Sequence, residues 1–503
     1  MKTAITRCTI SLVGLIVLGG MHARVRAAEA PSSLPLSLED CIQRALEHNL
    51  GIAAESISLG IAEKKVLEAL AASHPRLGLA VSANRDRKPT ASVLEGGEHR
   101  SELVEEYFIW DTSLSQPLPI GGSLALHFGN NRFETDSEYQ TINPVYRSSL
   151  SLVWTQPLLN GFGPAVSTAD AVIAQYDKEA AGSLFQTYVA GIIAETCSRY
   201  WNLIYAQADL EAKETALAQA RQIAEMTEAD MDEGRRPITD VLKARAEVST
   251  RVGEVVAAQE AVKEAEDQLK LVTSLVEDPA VWDKGVVPTT ELSCPDESID
   301  ESDCLRDARA NRPEYRAARS QYDAAKLRVK LARNALLPTL DMVGQISLNG
   351  LGERYGDNVS QLRTRDFNAW GIGLTTSIPL GNRAARSVLH QRSLEERRMC
   401  ARMESLEYRI TAEVRQATRQ IHTRLEQIDA AEQVKRFREK DLDATQERFR
   451  LGMATSEKAL EAQRELAEAR SNHVRALVAY NNALIHLQEV RGTLLRKYPL
   501  PSK

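Results

Sequence analysis

The 503-residue sequence is 26% charged and 43% hydrophobic with a formal charge of −7, a water-compatible balance with room for two or three domains. Mild acidity argues against a nucleic-acid partner, and beyond the first thirty residues no apolar run approaches the roughly 18 residues that a membrane-spanning helix needs. Nine scattered histidines, with no His-Glu-x-x-His, no Cys-x-x-Cys and no Gly-x-x-x-x-Gly-Lys, support neither a catalytic zinc nor ATP hydrolysis. No enzyme and no cofactor is expected.

The first 27 residues read as an export signal. Lys2 and Arg7 precede the apolar run from Ile10 to Gly20, and Val25-Arg26-Ala27 offers small residues at the two positions a signal peptidase reads. Cleavage would remove Lys2, Arg7, Arg24 and Arg26 and no acid, moving the charge from −7 to −11. The five cysteines left, Cys41, Cys197, Cys294, Cys304 and Cys400, are odd in number, which excludes a complete disulfide framework. Cys294 and Cys304 bracket an acidic loop and could close a small disulfide in an oxidising compartment; the alternative is two unpaired thiols.

After the signal the chain reads approximately twice, as a first repeat over 28–295 and a second over 296–503. Asp40-Cys41 recurs as Asp303-Cys304, Val66 as Val329, Pro75 as Pro338 and Leu77 as Leu340. Further on, Gly234 with Leu242 and Ala244 recurs as Gly452 with Leu460 and Ala462. Each repeat opens with a helix of about 35 residues, 38–73 and 302–336, that stops before a proline. The period then changes to two. Leu77, Leu79 and Val81 alternate with small or polar residues, as do Leu340, Met342, Ile346 and Leu348, the pattern of a strand with one apolar face. A polar loop follows, 85–105 in one repeat and 349–367 in the other. The return strands carry Leu150, Leu152 and Trp154, then Trp370, Ile372 and Leu374.

The first repeat holds an additional alternating hairpin over 106–131, turning at Pro119-Ile120-Gly121-Gly122, which the pattern places either in the main sheet or beside it. Each repeat then runs into a long helix, a glycine turn at Gly234 or Gly452, and a shorter helix. The stretch 382–450 contains neither proline nor glycine and would extend roughly 100 Å as one helix. The short opening helix and the helix after the turn together match that length, so the two can stack end to end beside the long one. Leu477, Tyr480, Leu484 and Leu487 at heptad spacing, facing Ile421, Leu425 and Ile428, supply the seam.

Four main strands, or even six, cannot close a barrel, and open sheet edges are not tolerated in lipid. A barrel must therefore be shared. Three copies of four strands give twelve, an allowed number, beside three copies of the helical part in one cyclic tube. Trp110, Trp154 and Trp370 fit an interfacial girdle. The expected fold is mainly α with a β-barrel part, a trimeric helical tunnel ending in a shared 12-stranded outer-membrane barrel.

The order of elements resembles the TolC-like outer-membrane efflux proteins, or outer membrane factors. The resemblance rests on Leu36-Ser37-Leu38-Glu39-Asp40-Cys41-Ile42, on Gln156-Pro157-Leu158-Leu159-Asn160-Gly161, and on Arg450-Leu451-Gly452-Met453-Ala454-Thr455-Ser456. It implies a homotrimer in the bacterial outer membrane that reaches across the periplasm, working with a periplasmic adaptor (membrane fusion) protein and an inner-membrane transporter. Such a duct passively exports drugs, metal ions or secreted proteins, through tripartite efflux or type I secretion. Adaptor docking then falls on Gly234, Leu451, Gly452, Met453, Ala454 and Thr455, with Arg235-Arg236-Pro237 departing from the family's small and apolar residues. The resemblance also implies an aperture of acidic residues just past each turn. Those positions hold Asp240, Lys458 and Glu461, of which Lys458 breaks the acidic pattern. A secreted coiled-coil scaffold and a passive porin or adhesin are the competing readings; the first leaves the strands idle and the second leaves the helices unexplained.

Overall fold

In the computed structural model, residues 33–92, 101–277, 279–294 and 299–499 are described. The expected signal peptide lies outside them.

Two long helices, α3 (Ala169–Asp232, 64 residues) and α8 (Arg383–Arg450, 68 residues), set the length of the molecule at roughly 100 Å. The expected opening helices are each broken in two. In the first repeat α1 (Leu38–His48) gives way at Asn49 to α2 (Leu50–Ala71). Asn49 sits in extended backbone, and its side chain accepts hydrogen bonds from the Gly51 and Ile52 amides, capping the second segment. In the second repeat α5 (Glu301–Asn311) and α6 (Pro313–Asn334) are separated by Arg312, which Pro313 holds extended. An Asn cap and an Arg-Pro step perform the same break, so aligned periodicity across them looked like one helix.

The breaks serve the stacking. α4 (Ile238–Val272) follows the first glycine turn and α9 (Ser456–Val490) the second. Asn49 Nδ2 donates to the carbonyl of Val272 at 3.1 Å, so α2 begins where α4 ends. In the second repeat a side chain at Gly492, just past α9, would collide with the Arg312 backbone that opens α6. Stacked pairs of 22 and 35 residues thus line the long helices. The neighbours run α2–α3–α6–α8 in one half of the wall and α4–α3–α9–α8 in the other.

Where the halves meet, a belt holds the main cores. Short parallel strands β1 (Leu34–Leu36) and β6 (Val286–Pro288) pair there. Tyr200 and Trp201 centre one cluster with Cys41, Cys197 and Leu269; Tyr480 centres the other with Ile410, Val414, Ile421 and Leu487. The expected heptad seam is in this second cluster.

The strands are longer than expected. β2 (Arg76–Pro89), β3 (Glu102–Pro117), β4 (Ser123–Thr135), β5 (Val145–Pro157), β7 (Thr339–Gly352) and β8 (Asn368–Ser377) form one antiparallel sheet in that order. The first supposed loop is strand at both its ends, 85–89 and 102–105, because charges there pair across the sheet: Arg85 with Glu106, Lys88 with Glu105 and Arg87 with Glu102. Part of the second is helix α7 (Tyr355–Thr364), packed on β5 and β7. The additional hairpin joins the sheet, the question that the sequence pattern left open, so each chain brings six strands, the four main ones and these two.

Candidate functional site

Both glycine turns are built alike. After α3 the Gly234 amide bonds to the Met231 carbonyl at 2.8 Å and the Arg235 amide to the Asp230 carbonyl at 2.8 Å. After α8 Gly452 bonds to Phe449 at 3.0 Å and Met453 to Arg448 at 2.8 Å. These are Schellman caps, which close only on a left-handed residue; the φ angles are +75° at Gly234 and +71° at Gly452. Pro237 and Thr455 then start α4 and α9 in extended backbone, the Thr455 hydroxyl accepting from the Lys458 amide.

The two turns differ in side chains. Leu451 and Met453 stand 62% and 77% exposed, Thr455 is exposed, and Ala454 half buries against a small core of Ala220, Ile223, Phe449 and Leu460. At the first turn Arg235 is exposed but Arg236 folds inward. Its guanidinium lies 4.5 Å from the centre of the Phe449 ring and pairs with Asp230 at 3.1 Å, tying the two tips together. A second tie joins Lys243 to Glu457 at 2.9 Å. That bond pulls the Glu457 carboxyl below its ordinary range and raises Lys243, with Asp240 adding a smaller push. Sequence reasoning missed these links, which join residues about two hundred positions apart. It also missed Ile238 and Leu242, which leave an exposed apolar patch just past the first turn.

Of the aperture candidates, Asp240 is half buried and Lys458 and Glu461 are exposed. Glu461 lines a groove of about 460 Å³ between α4 and α9 with Lys243, Glu247, Glu457 and Arg464. Among the described residues Lys458 and Glu461 form no ion pair with each other.

The strand register separates the two faces of the sheet. Leu77, Leu114, Leu126, Leu152, Ile346 and Trp370 line up as one apolar row across all six strands, each 40% or more exposed. The next row, on the other face, reads Gly78, Ser113, His127, Ser151, Ser347 and Ala369. A cavity of about 800 Å³ lies against the polar face, lined by Asp111, His127, Asn131, Arg147, Ser149 and Asn349 among others. One face suits hydrocarbon and the other water, as a barrel wall requires. Of the three tryptophans, Trp110 lies mid-strand on the apolar face, 5.4 Å from the Tyr355 ring of α7, and Trp154 near the helical end.

The sheet and the helical wall end at the same two sides. β2 follows α2, and on that side Ile57, Ile61 and Leu67 of α2 with Val252 and Val256 of α4 are exposed. β8 precedes α8, where Val388, Leu394, Tyr408 and Phe437 are exposed.

The disulfide considered for Cys294 and Cys304 is not formed. Cys304 is a free thiol, 1% exposed, turned into the cluster around Ile410 and Tyr480, whereas Cys294 is exposed. Among the described residues no three His, Cys, Asp or Glu side chains could jointly hold a metal ion, and no helix is long and apolar enough to cross a membrane.

Known proteins share this architecture. The family described as "Outer membrane efflux protein" matches residues 41–274 and 304–493, both repeats. The outer membrane protein TolC of Vibrio cholerae is 25% identical over 318 residues, 62% of this chain and 70% of its own length. Among solved structures, the outer-membrane channel OprN superposes with a TM-score of 0.67 at 18% identity, covering 91% of this chain and 90% of its own. The CmeC outer membrane channel of Campylobacter jejuni gives 0.69 at 15% identity, over 91% and 85%.

Proposed function

Because the chain belongs to the outer membrane efflux protein family, we propose that it works as the passive exit duct of a three-part export machine, closed by three copies and docked at its tips. The observation that carries this is the apolar row from Leu77 to Trp370, bare on one face while the next row is polar. A sheet of that kind is stable in the outer membrane only when its edges are paired. The helical part then extends roughly 100 Å into the periplasm, far enough for a partner in the opposite membrane to be met there.

At the tip, Leu451 and Met453 present the apolar surface that an adaptor would cover, and Ile238 extends it across the first turn. Gly234, Gly452, Ala454 and Thr455 shape the turns that carry this surface. Asp240 and Glu461, repeated around a threefold axis, would draw cations into the aperture, while Lys458 one turn away moderates that field. In this reading the duct is passive, and its energy comes from the inner-membrane partner.

The test is the mass, by light scattering in detergent, of protein extracted from the outer-membrane fraction. Three chains per particle are expected. A monomer would leave the edges unpaired and remove the duct, restoring the coiled-coil scaffold as the better reading. In planar bilayers, Glu461→Lys and Asp240→Asn should lower cation over anion preference severalfold; unchanged selectivity would remove both residues from the aperture.

A further inference from the structure

The hairpin β3–β4 is a wall segment of the barrel. Its strands pair with β2 and β5 without a gap, fourteen residue pairs on one side and eleven on the other. Both of its faces continue the rows of their neighbours: Leu114 and Leu126 lie between Leu77 and Leu152, and Ser113 and His127 between Gly78 and Ser151. The turn at its helical end is also locked. The Ile120 carbonyl accepts the Gly163 amide at 3.0 Å and Gln156 Nε2 at 3.2 Å, and Ser167 Oγ bonds the Pro119 carbonyl. Gly121, at φ +91°, presses on the Gly161 carbonyl so closely that no side chain fits. The hairpin is thereby fastened to the junction between β5 and the start of α3.

The two strands left with one open side are β2 and β8, exposed along their whole lengths. They run in opposite directions, so β8 of one chain can pair antiparallel with β2 of the next, on the same sides where α8 and α2 end the helical wall. We infer that three copies close these edges into a barrel of eighteen strands, three times six, in which the β3–β4 hairpin widens the outer-membrane section.

At a common strand spacing of about 4.8 Å and a tilt of about 40°, eighteen strands give a backbone diameter of about 36 Å, against about 24 Å for twelve. Twelve helices packed side by side at about 9 Å give a tunnel of about 34 Å. The wider barrel therefore continues the tunnel without a taper, which suits bulky cargo through the outer membrane. The inference rests on the exit-duct reading.

Cysteine pairs in the full-length protein, with Cys294 and Cys400 replaced by serine, test it in outer membranes. Combinations of Leu77→Cys, Leu79→Cys or Val81→Cys on β2 with Trp370→Cys, Ile372→Cys or Leu374→Cys on β8 should yield covalent trimers on oxidation, because these positions share the apolar face. Leu79→Cys with Leu150→Cys should not link, since β3 and β4 hold the two about 14 Å apart. A Leu79–Leu150 link in an intact trimer would mean that β2 meets β5 directly, overturning the eighteen strands and sparing the duct. Trimers that no β2–β8 pair can link would overturn the closure. Particles of one chain, by light scattering, would overturn the duct reading itself.

Discussion

The first repeat carries four strands of the sheet and a tip that reads Arg235-Arg236-Pro237; the second carries two strands, a helix between them, and a tip that reads Met453-Ala454-Thr455. Yet both break after an eleven-residue helix, both stack 22 residues upon 35, and both turn on a Schellman glycine. What the two repeats share is backbone geometry, which the tunnel wall needs twice. What they do not share is surface: strand number and tip chemistry lie where each repeat faces lipid, lumen or partner. Divergence has concentrated on the two ends of the molecule.

The largest test of that comparison lies in the shared belt. Tyr200 and Tyr480 are each fully buried at the centre of their repeat's core, so Tyr200→Ala and Tyr480→Ala should each lower stability by about 3–5 kcal/mol in urea unfolding. Tyr200 also donates to the Leu36 carbonyl and accepts from the Thr290 amide, both at 3.0 Å, so Tyr200→Phe alone should lower it by about 1–3 kcal/mol. A Tyr200→Phe protein as stable as the parent would show that these bonds do not hold the first belt.

Next comes the membrane face, where the repeats differ in strand number. Leu126→Arg places a charge in the apolar row of the added hairpin and should reduce barrel stability by about 2–4 kcal/mol, seen as loss of heat-resistant trimer. His127→Arg, one residue away on the polar face, should leave the trimer intact. Equal damage from both would mean that the hairpin does not face lipid.

At the tips the backbone and the side chains can be separated. A Cβ at Gly234 or Gly452 meets nothing within 4 Å, so Gly234→Ala and Gly452→Ala should each lower stability only through left-handed strain, about 1–2 kcal/mol and alike in the two repeats. Arg236→Ala removes the stacking on Phe449 and should lower it by about 1 kcal/mol, with no counterpart in the second turn. Thermal unfolding of the three variants gives the order directly.

The smallest effect is electrostatic. The Glu457 carboxyl is lowered from 4.5 by its bond to Lys243, so the link is fully present above that value and is lost as pH falls through the lowered one. Lys243 is raised from 10.5, so on the alkaline side the link persists until pH climbs past the raised value. Both groups are exposed, and salt should weaken the link throughout that window. Titration of the Glu457 carboxyl by NMR in a Lys243→Ala variant should return it to its ordinary value.

Period and punctuation made most of the architecture legible. The stretch 382–450 free of proline and glycine, strands alternating Leu77, Leu79 and Val81, the glycines at the turns and the order repeated twice are local signals, because propensity and amphipathic periodicity act over a few residues. The breaks at Asn49 and Arg312 were missed because apolar periodicity runs across them, and only the end-to-end fit against Val272 and Gly492 shows why the chain must step there. The strand from Arg85 to Pro89 was missed because its first four residues are charged, and their partners Glu102, Glu105 and Glu106 are found only once the sheet is paired. Tertiary structure alone decided that the additional hairpin joins the sheet, that Cys304 faces a core instead of Cys294, and that Arg236 is tied to Phe449. Each of these depends on which distant segments become neighbours, and a sequence states its periods locally but its neighbours only through the fold.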